Sequence, residues 1–192
     1  MPFFRSADRR DRLAAESPVV VMGRGHSGTR VLTRAIEALG VAMGAGDRRT
    51  ADVRDRRLKR AVRKIARASL DRPVTADPAP RLLRLFRRRI ESYLDRLGVA
   101  AGDDWGWKFP ETYLVPGYVI ATFPRARLVH LVRDGRDVAF KAHLTDDPGR
   151  RLGRTLLGQI GALDEPRHLQ AARSWRFQVE RYERFVQAKG LP

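Results

Sequence analysis

The sequence predicts an α/β fold: a three-layer sandwich in which a central, mostly parallel sheet is flanked by helices. Three observations carry that expectation. Short, wholly apolar, β-branched runs alternate with longer segments of helical periodicity, the pattern of parallel strands buried on both faces. The clearest runs end in polar, glycine-containing turns that open helices. Both turns therefore fall at the carboxyl ends of strands, where open α/β sheets hold their ligands. At 192 residues the chain suits one domain, expected over 18–192, with 1–17 as a charged and poorly ordered lead-in.

The elements follow in order. Residues 18–22 (PVVVM) are the first strand, and Gly23 to Gly28 form the first turn. From 29 to 39 apolar residues fall at Val31, Leu32, Ala35, Ile36 and Leu39, a helical spacing that Gly40 ends. Residues 40–52 read as loop. Helices are expected at 53–70 and 80–97, separated by a proline- and aspartate-containing break. The first of them is strongly basic and reads as a solvated amphipathic face. Gly102, Asp103 and Asp104 turn the chain into a second strand at 105–109, which stops at Pro110. Residues 111–123 suit a helix interrupted by Pro116 and Gly117. A third strand covers 126–132, and Arg133-Asp134-Gly135 leads into a helix beginning near Arg136. Two more helices are expected near 151–161 and 165–188, the latter burying Trp175 in the core.

Composition bounds the chemistry. Thirty-nine basic against 22 acidic residues give a net charge of +17. Such a field attracts phosphates, anionic sugars, nucleic acid and acidic membranes. Only five of the basic residues are lysine, and an arginine bias of this kind follows from GC-rich coding alone, so the charge by itself adds little. No recognition-helix, zinc or RNA-binding signature accompanies it, which argues against a nucleic-acid partner. The absence of cysteine removes disulfides, Cys-ligated zinc and thiol nucleophiles, and fits a reducing compartment. The opening residues MPFFRSADRRDR lack the apolar run of a signal peptide, and no stretch approaches the roughly 20 apolar residues of a membrane span. A cytoplasmic protein without a membrane span is expected.

The first turn, Gly23-Arg24-Gly25-His26-Ser27-Gly28-Thr29-Arg30, joins a strand to a helix. Glycines there let successive backbone N–H groups curl around one anion at the positive end of the helix dipole. Ser27 and Thr29 add hydroxyls, and Arg24, His26 and Arg30 add charge or donors. The spacing of Gly23 and Gly28 matches the nucleoside-triphosphate loop G-x-x-x-x-G-K-[ST], but Thr29-Arg30 replaces the Lys-Ser/Thr pair. The phosphate-reaching lysine and the magnesium-binding hydroxyl are both out of place, which disfavours a kinase or ATPase of that type. A metal-free reaction at a phosphate-like group is expected instead.

The segment from His26 to Arg30 resembles the [KR]-S-G-T-[TR] loop of sulfotransferases. Two further elements strengthen the resemblance. Phe123-Pro124-Arg125-Ala126-Arg127, the strand that follows, and Arg133-Asp134-Gly135-Arg136-Asp137-Val138 are similar to the family element F-P-x-A-[KR]–strand–R-D-x-R-[DA]-V. Lys108 followed by Phe109 and Pro110 matches a lysine that carbohydrate-type and tyrosylprotein-type members carry upstream of it. The three elements occur in family order over 18–142. The resemblance implies a P-loop-type fold and a donor, 3′-phosphoadenosine 5′-phosphosulfate, whose sulfuryl group passes to an acceptor hydroxyl or amine on a carbohydrate, lipid or small molecule.

Roles follow by position. The resemblance assigns Gly25, Ser27, Gly28, Thr29 and Arg30 to the 5′-phosphosulfate, and Lys108, with Arg24 or His26, to charge on the leaving phosphate. Arg133 falls to the 3′-phosphate. Lys141 stands where the family has a serine: it is either a point charge for that phosphate or the mark of a degraded site. His26 stands where the family usually has Lys or Arg. For a general base the tyrosylprotein branch uses a glutamate after the first helix. Here Asp47 is the first candidate, with Asp52, Glu111 and His143 behind it. Family members often continue past a Trp-containing helix, so the resemblance also implies a chain short at its C-terminus. A catalytically inactive nucleotide-binding relative is the alternative reading.

Overall fold

The computed structural model describes residues 12–44, 46, 52–98 and 102–191. Its centre is a three-stranded sheet of β1 (Val19–Met22), β2 (Gly106–Lys108) and β3 (Arg127–His130), in the order β2-β1-β3. Every pairing is parallel: Val19 lies opposite Gly106 and Arg127, and Val21 opposite Lys108 and Val129. All four residues of β1 are buried, as an apolar central strand requires.

Alternation along β1 sends its side chains into two layers. Val20 and Met22 enter the main core, while Val19 and Val21 pack with Met43 on the opposite face. That second face is covered by α1 (Thr29–Ala38) through Leu32 and Ile36. The expected stripe was broader. Val31 and Leu39 are 71% and 83% exposed, because a three-stranded sheet is too narrow to meet more than one row of the helix.

The main core fills the other side. α2 (Arg56–Ser69) starts later than its periodicity suggests, because Asp55 caps it, accepting from the backbone N–H groups of Arg57 and Leu58 at 2.8 and 2.9 Å. Its Leu58, Val62 and Ile65 are buried, so only its flanks are solvated. α3 (Pro80–Leu97) has proline at its start and ends on Gly98, whose φ of 68° makes a left-handed cap. The two helices pack on Trp105, Trp107, Phe109 and Phe123. The two indoles stack at 5.8 Å, with Phe123 edge-on to Trp105 at 5.6 Å.

The interrupted helix resolves into a 3₁₀ turn, Pro110–Leu114, and a short α4, Pro116–Ile120. Val115 between them has φ −131°, because the residue before a proline avoids the helical region. β3 ends at His130; beyond Leu131, whose N–H still reaches the Met22 carbonyl at 3.0 Å, β1 offers Val132 no partner. α5 (Gly135–Ala139) is capped by Asp134, which accepts from the Arg136 N–H at 2.8 Å. α6 (Arg151–Gln159) and α7 (Arg167–Lys189) complete the chain. Trp175 of α7 is half-buried and packs on Gly135, where a Cβ would come within 2.5 Å of its ring. The packing also reaches back before residue 18: Leu13 lies in the main core, and the Trp105 indole donates to Glu16 at 2.8 Å. No described helix is long and apolar enough to cross a membrane.

Candidate active site

The glycine turn leaves the carboxyl end of β1 and folds back over the ends of the other strands. Its first N–H, from Gly23, reaches the Pro110 carbonyl at 3.4 Å, next to the end of β2. Gly28, with φ 92°, delivers the chain to α1. Gly25 is a glycine for a different reason: a Cβ there would lie 2.3 Å from the His143 ring. His26 is left-handed at φ 73° without being glycine, a conformation costing about 1–2 kcal/mol. Strain of this kind collects where a backbone must present itself to a ligand.

The start of α1 is chemically open. It has no side-chain cap and no acidic residue in its first turn, so no carboxylate of its own offsets the positive end of its dipole. Ser27 and Thr29 are buried at 7% and 4% exposure. Neither hydroxyl makes a hydrogen bond among the described residues. Arg30 is exposed on the first turn.

Arg133 closes the loop from the side of β3. Its Nη1 donates to the His26 carbonyl at 3.3 Å and its Nε to Asp137 at 3.1 Å, with the side chain 46% exposed. Lys141 lies exposed nearby, two residues before His143. His26 is also exposed, with Nε2 3.2 Å from the Ala142 carbonyl, to which it can donate.

Arg24 takes a different place from the donor-facing one its motif suggested. It is 2% exposed, and its guanidinium ion-pairs with the equally buried Asp146. It also donates to the Lys141 carbonyl at 2.6 Å and the Gly25 carbonyl at 3.1 Å. Asp146 in turn accepts from the His143 N–H at 3.0 Å. Arg24 thus straps the glycine loop to the 141–146 segment. Nothing in the local sequence marks Asp146 as its partner.

Lys108 ends β2 beside Val21, the last residue but one of β1. It is buried and ion-paired with Asp52. Glu111, three residues on, is 1% exposed and accepts from Arg63 Nε at 3.0 Å. Burial raises its carboxyl pKa and the charge of Asp52 adds to that, although Arg63 pulls it down. Asp52 and Glu111 thus stand on the Lys108 side of the loop, while Asp47 lies outside the described residues. His143 has its pKa pushed down to about 3, first by burial and then by Arg24, His26, Arg63 and Lys108. Its Nδ1 is 2.8 Å from the Thr145 hydroxyl. The imidazole is neutral at physiological pH. Arg63 is the residue that sequence reasoning missed here. It belonged to a helix read as a solvated face, and only the position of Phe109, 5.3 Å beneath its guanidinium, draws it to the site.

Three chain segments therefore meet at the carboxyl ends of three parallel strands: a glycine loop at a helix N-terminus with two buried hydroxyls, a buried lysine beside carboxylates, and an arginine that touches the loop. The donor set suits an anion with phosphate-like oxygens. Neither comparison with curated proteins nor comparison with solved structures yields a match. A family model described as the sulfotransferase family matches residues 18–188. The match takes in all three strands, the glycine loop, Lys108 and Arg133, and on it the chain belongs to the sulfotransferase family.

Proposed function

We propose that the protein transfers a sulfuryl group from 3′-phosphoadenosine 5′-phosphosulfate to a hydroxyl or amine of an acceptor, in the cytoplasm. The observation that carries this reading is the convergence of the Gly25–Arg30 loop, Lys108 and Arg133 at one edge of the sheet. The donor supplies the activated sulfuryl group and a stable leaving phosphate. The loop N–H groups, with Ser27 and Thr29, bind and orient the phosphosulfate oxygens. Lys108 stabilises charge that grows on the bridging oxygen as the bond to sulfur breaks. Arg133, helped by Lys141, holds the 3′-phosphate. His26 adds a donor at the loop tip. Arg24 acts at one remove, keeping the loop in place through Asp146.

The acceptor proton needs a base. Glu111 has the raised carboxyl pKa such a role asks for, and Asp52 pairs directly with Lys108; Asp47 remains a candidate from its place after the first helix. The test is calorimetric titration with 3′-phosphoadenosine 5′-phosphate, against ATP with magnesium. Selective, metal-independent binding is expected, and Arg133→Ala should weaken it by roughly 10- to 100-fold, the worth of a charge-assisted hydrogen bond. Equal affinity for ATP, or an Arg133→Ala variant that binds as wild type, would refute the donor assignment. Tight nucleotide binding without turnover on a broad acceptor panel would favour an inactive relative.

A further inference from the structure

A cavity of about 570 Å³ lies beside the glycine loop, between α2 and the segment leading into α6. Its walls include Arg63 and Arg67 from α2, Arg150 and Arg151 at the start of α6, and His143 and Asp147 between them. Four arginines and a single aspartate thus line it. We propose that this cavity binds an oxyanion carried by the acceptor itself, so that the acceptor is a small molecule already bearing a carboxylate, sulfate or phosphate. Naming the ligand as acceptor rests on the sulfotransferase reading; the anion site does not.

The pairing of these arginines points to a missing partner. Arg67 and Arg151 make no side-chain hydrogen bond or ion pair among the described residues. Arg150 reaches Asp147 only at 3.7 Å. Arg63 engages Glu111 through one nitrogen, Nε, at 3.0 Å, with its side chain 40% exposed.

Helix polarity sharpens the point. Arg150 is the cap of α6 and Arg151 its first residue; this nine-residue helix has no side-chain cap and no acid in its first turn. Cations at that end oppose the dipole and each other. A sequence that breaks a local rule without internal compensation is expected to gain something else from it, and an anion between the four arginines supplies the compensation. Bidentate geometry makes arginine the apt residue for oxyanions.

Position connects the cavity to the transfer site. His143 forms part of its wall and is pressed against Gly25 of the loop. Arg63, on the same wall, holds Glu111, the third residue after Lys108. An acceptor anchored by its anion in the cavity would extend toward Lys108 and the carboxylates. The volume suits a small molecule.

The test is titration of the full-length protein with glucuronate, glucose 6-sulfate, glucose 6-phosphate and glucose, alone and with 3′-phosphoadenosine 5′-phosphate present. The charged sugars should bind at least 10-fold more tightly than glucose, and their ranking identifies the oxyanion. Arg67→Ala and Arg151→Ala should each weaken them by about 10-fold and leave 3′-phosphoadenosine 5′-phosphate binding unchanged. Equal binding of glucose and the charged sugars, or variants that bind them as wild type, overturns the proposal. Failure of the nucleotide to bind overturns the donor reading alone, since the sugar titrations are read without it.

Discussion

Replacing Arg24 separates a strap from a ligand. Arg24 and Asp146 are both almost fully buried, and Arg24 joins the loop to the 141–146 segment through the Lys141 carbonyl and the Asp146 carboxylate, with a third contact to Gly25 of the loop itself. Arg24→Met keeps much of the side-chain volume but strands the Asp146 carboxylate, with the His143 N–H as its remaining recorded donor. Removing one partner of a buried pair costs about 3–5 kcal/mol. For a chain of this length each kcal/mol lowers Tm by about 2–4 °C, so a drop of roughly 6–20 °C is expected. Thermal unfolding followed by circular dichroism reads it directly. Arg24→Met/Asp146→Asn removes both charges and keeps an acceptor for His143. It should recover much of the loss, with a coupling of at least ~2 kcal/mol. A single variant that loses under ~1 kcal/mol refutes the strap. So does one that loses nucleotide affinity with Tm unchanged, because a ligand and not a strut behaves that way.

Lys108→Ala should lower kcat by roughly 100- to 1,000-fold, the usual cost of one lost transition-state donor, while 3′-phosphoadenosine 5′-phosphate binding changes little; full turnover would remove Lys108 from the chemistry. His130 is held between Tyr113 and Tyr182, its Nε2 buried without a partner and its pKa pushed down to about 4 by burial. His143 is lowered to about 3. In both cases the unfolded chain takes up a proton that the fold refuses, so stability is full above about pH 6.5 and falls as pH drops toward 4. His130→Leu should flatten part of that decline in a Tm–pH series, and an unchanged slope would count against it. Arg151→Glu reverses an unfavourable helix-end charge worth about 0.3–1 kcal/mol, so Tm should rise by about 1–4 °C; a fall would mean that Arg151 is already compensated within the protein.

Features set by short-range chemistry were legible. A β-branched run, a glycine turn and a helical period lie within a few residues of one another, and β1, the loop and α1 follow from them almost to the residue. Asp134 and Pro80 mark their helices in the same local way. What escaped depends on distant chain. Whether Val31 and Leu39 are buried is decided by how wide the sheet is, and the helix carries no record of that. Arg24 and Arg133 are the same residue type in two motifs of one site. One is sequestered because Asp146, 122 positions away, meets it inside the protein; the other stays at the rim. Arg63 looked like one more charge on a basic helix until Phe109 and Glu111 came up beneath it.

The same division explains why a net charge of +17 said so little about function. Arg181 is buried on α7 and donates to the Ser69 and Arg72 carbonyls at 2.6 and 2.9 Å; like Arg24, it serves the fold. Arg176 and Arg34 pair with carboxylates one turn away on exposed helix faces, where such pairs contribute little. Counting cations mixes all of these with the few that matter for binding. What singles out Arg67 and Arg151 is the mismatch between their charge and their surroundings: both stand on a cavity wall among repelling neighbours, and Arg151 also sits at a helix end of the wrong sign. Compensation is the rule for buried and structural charge. Where cations converge on open space without it, the missing counter-charge is the best physical description of the ligand.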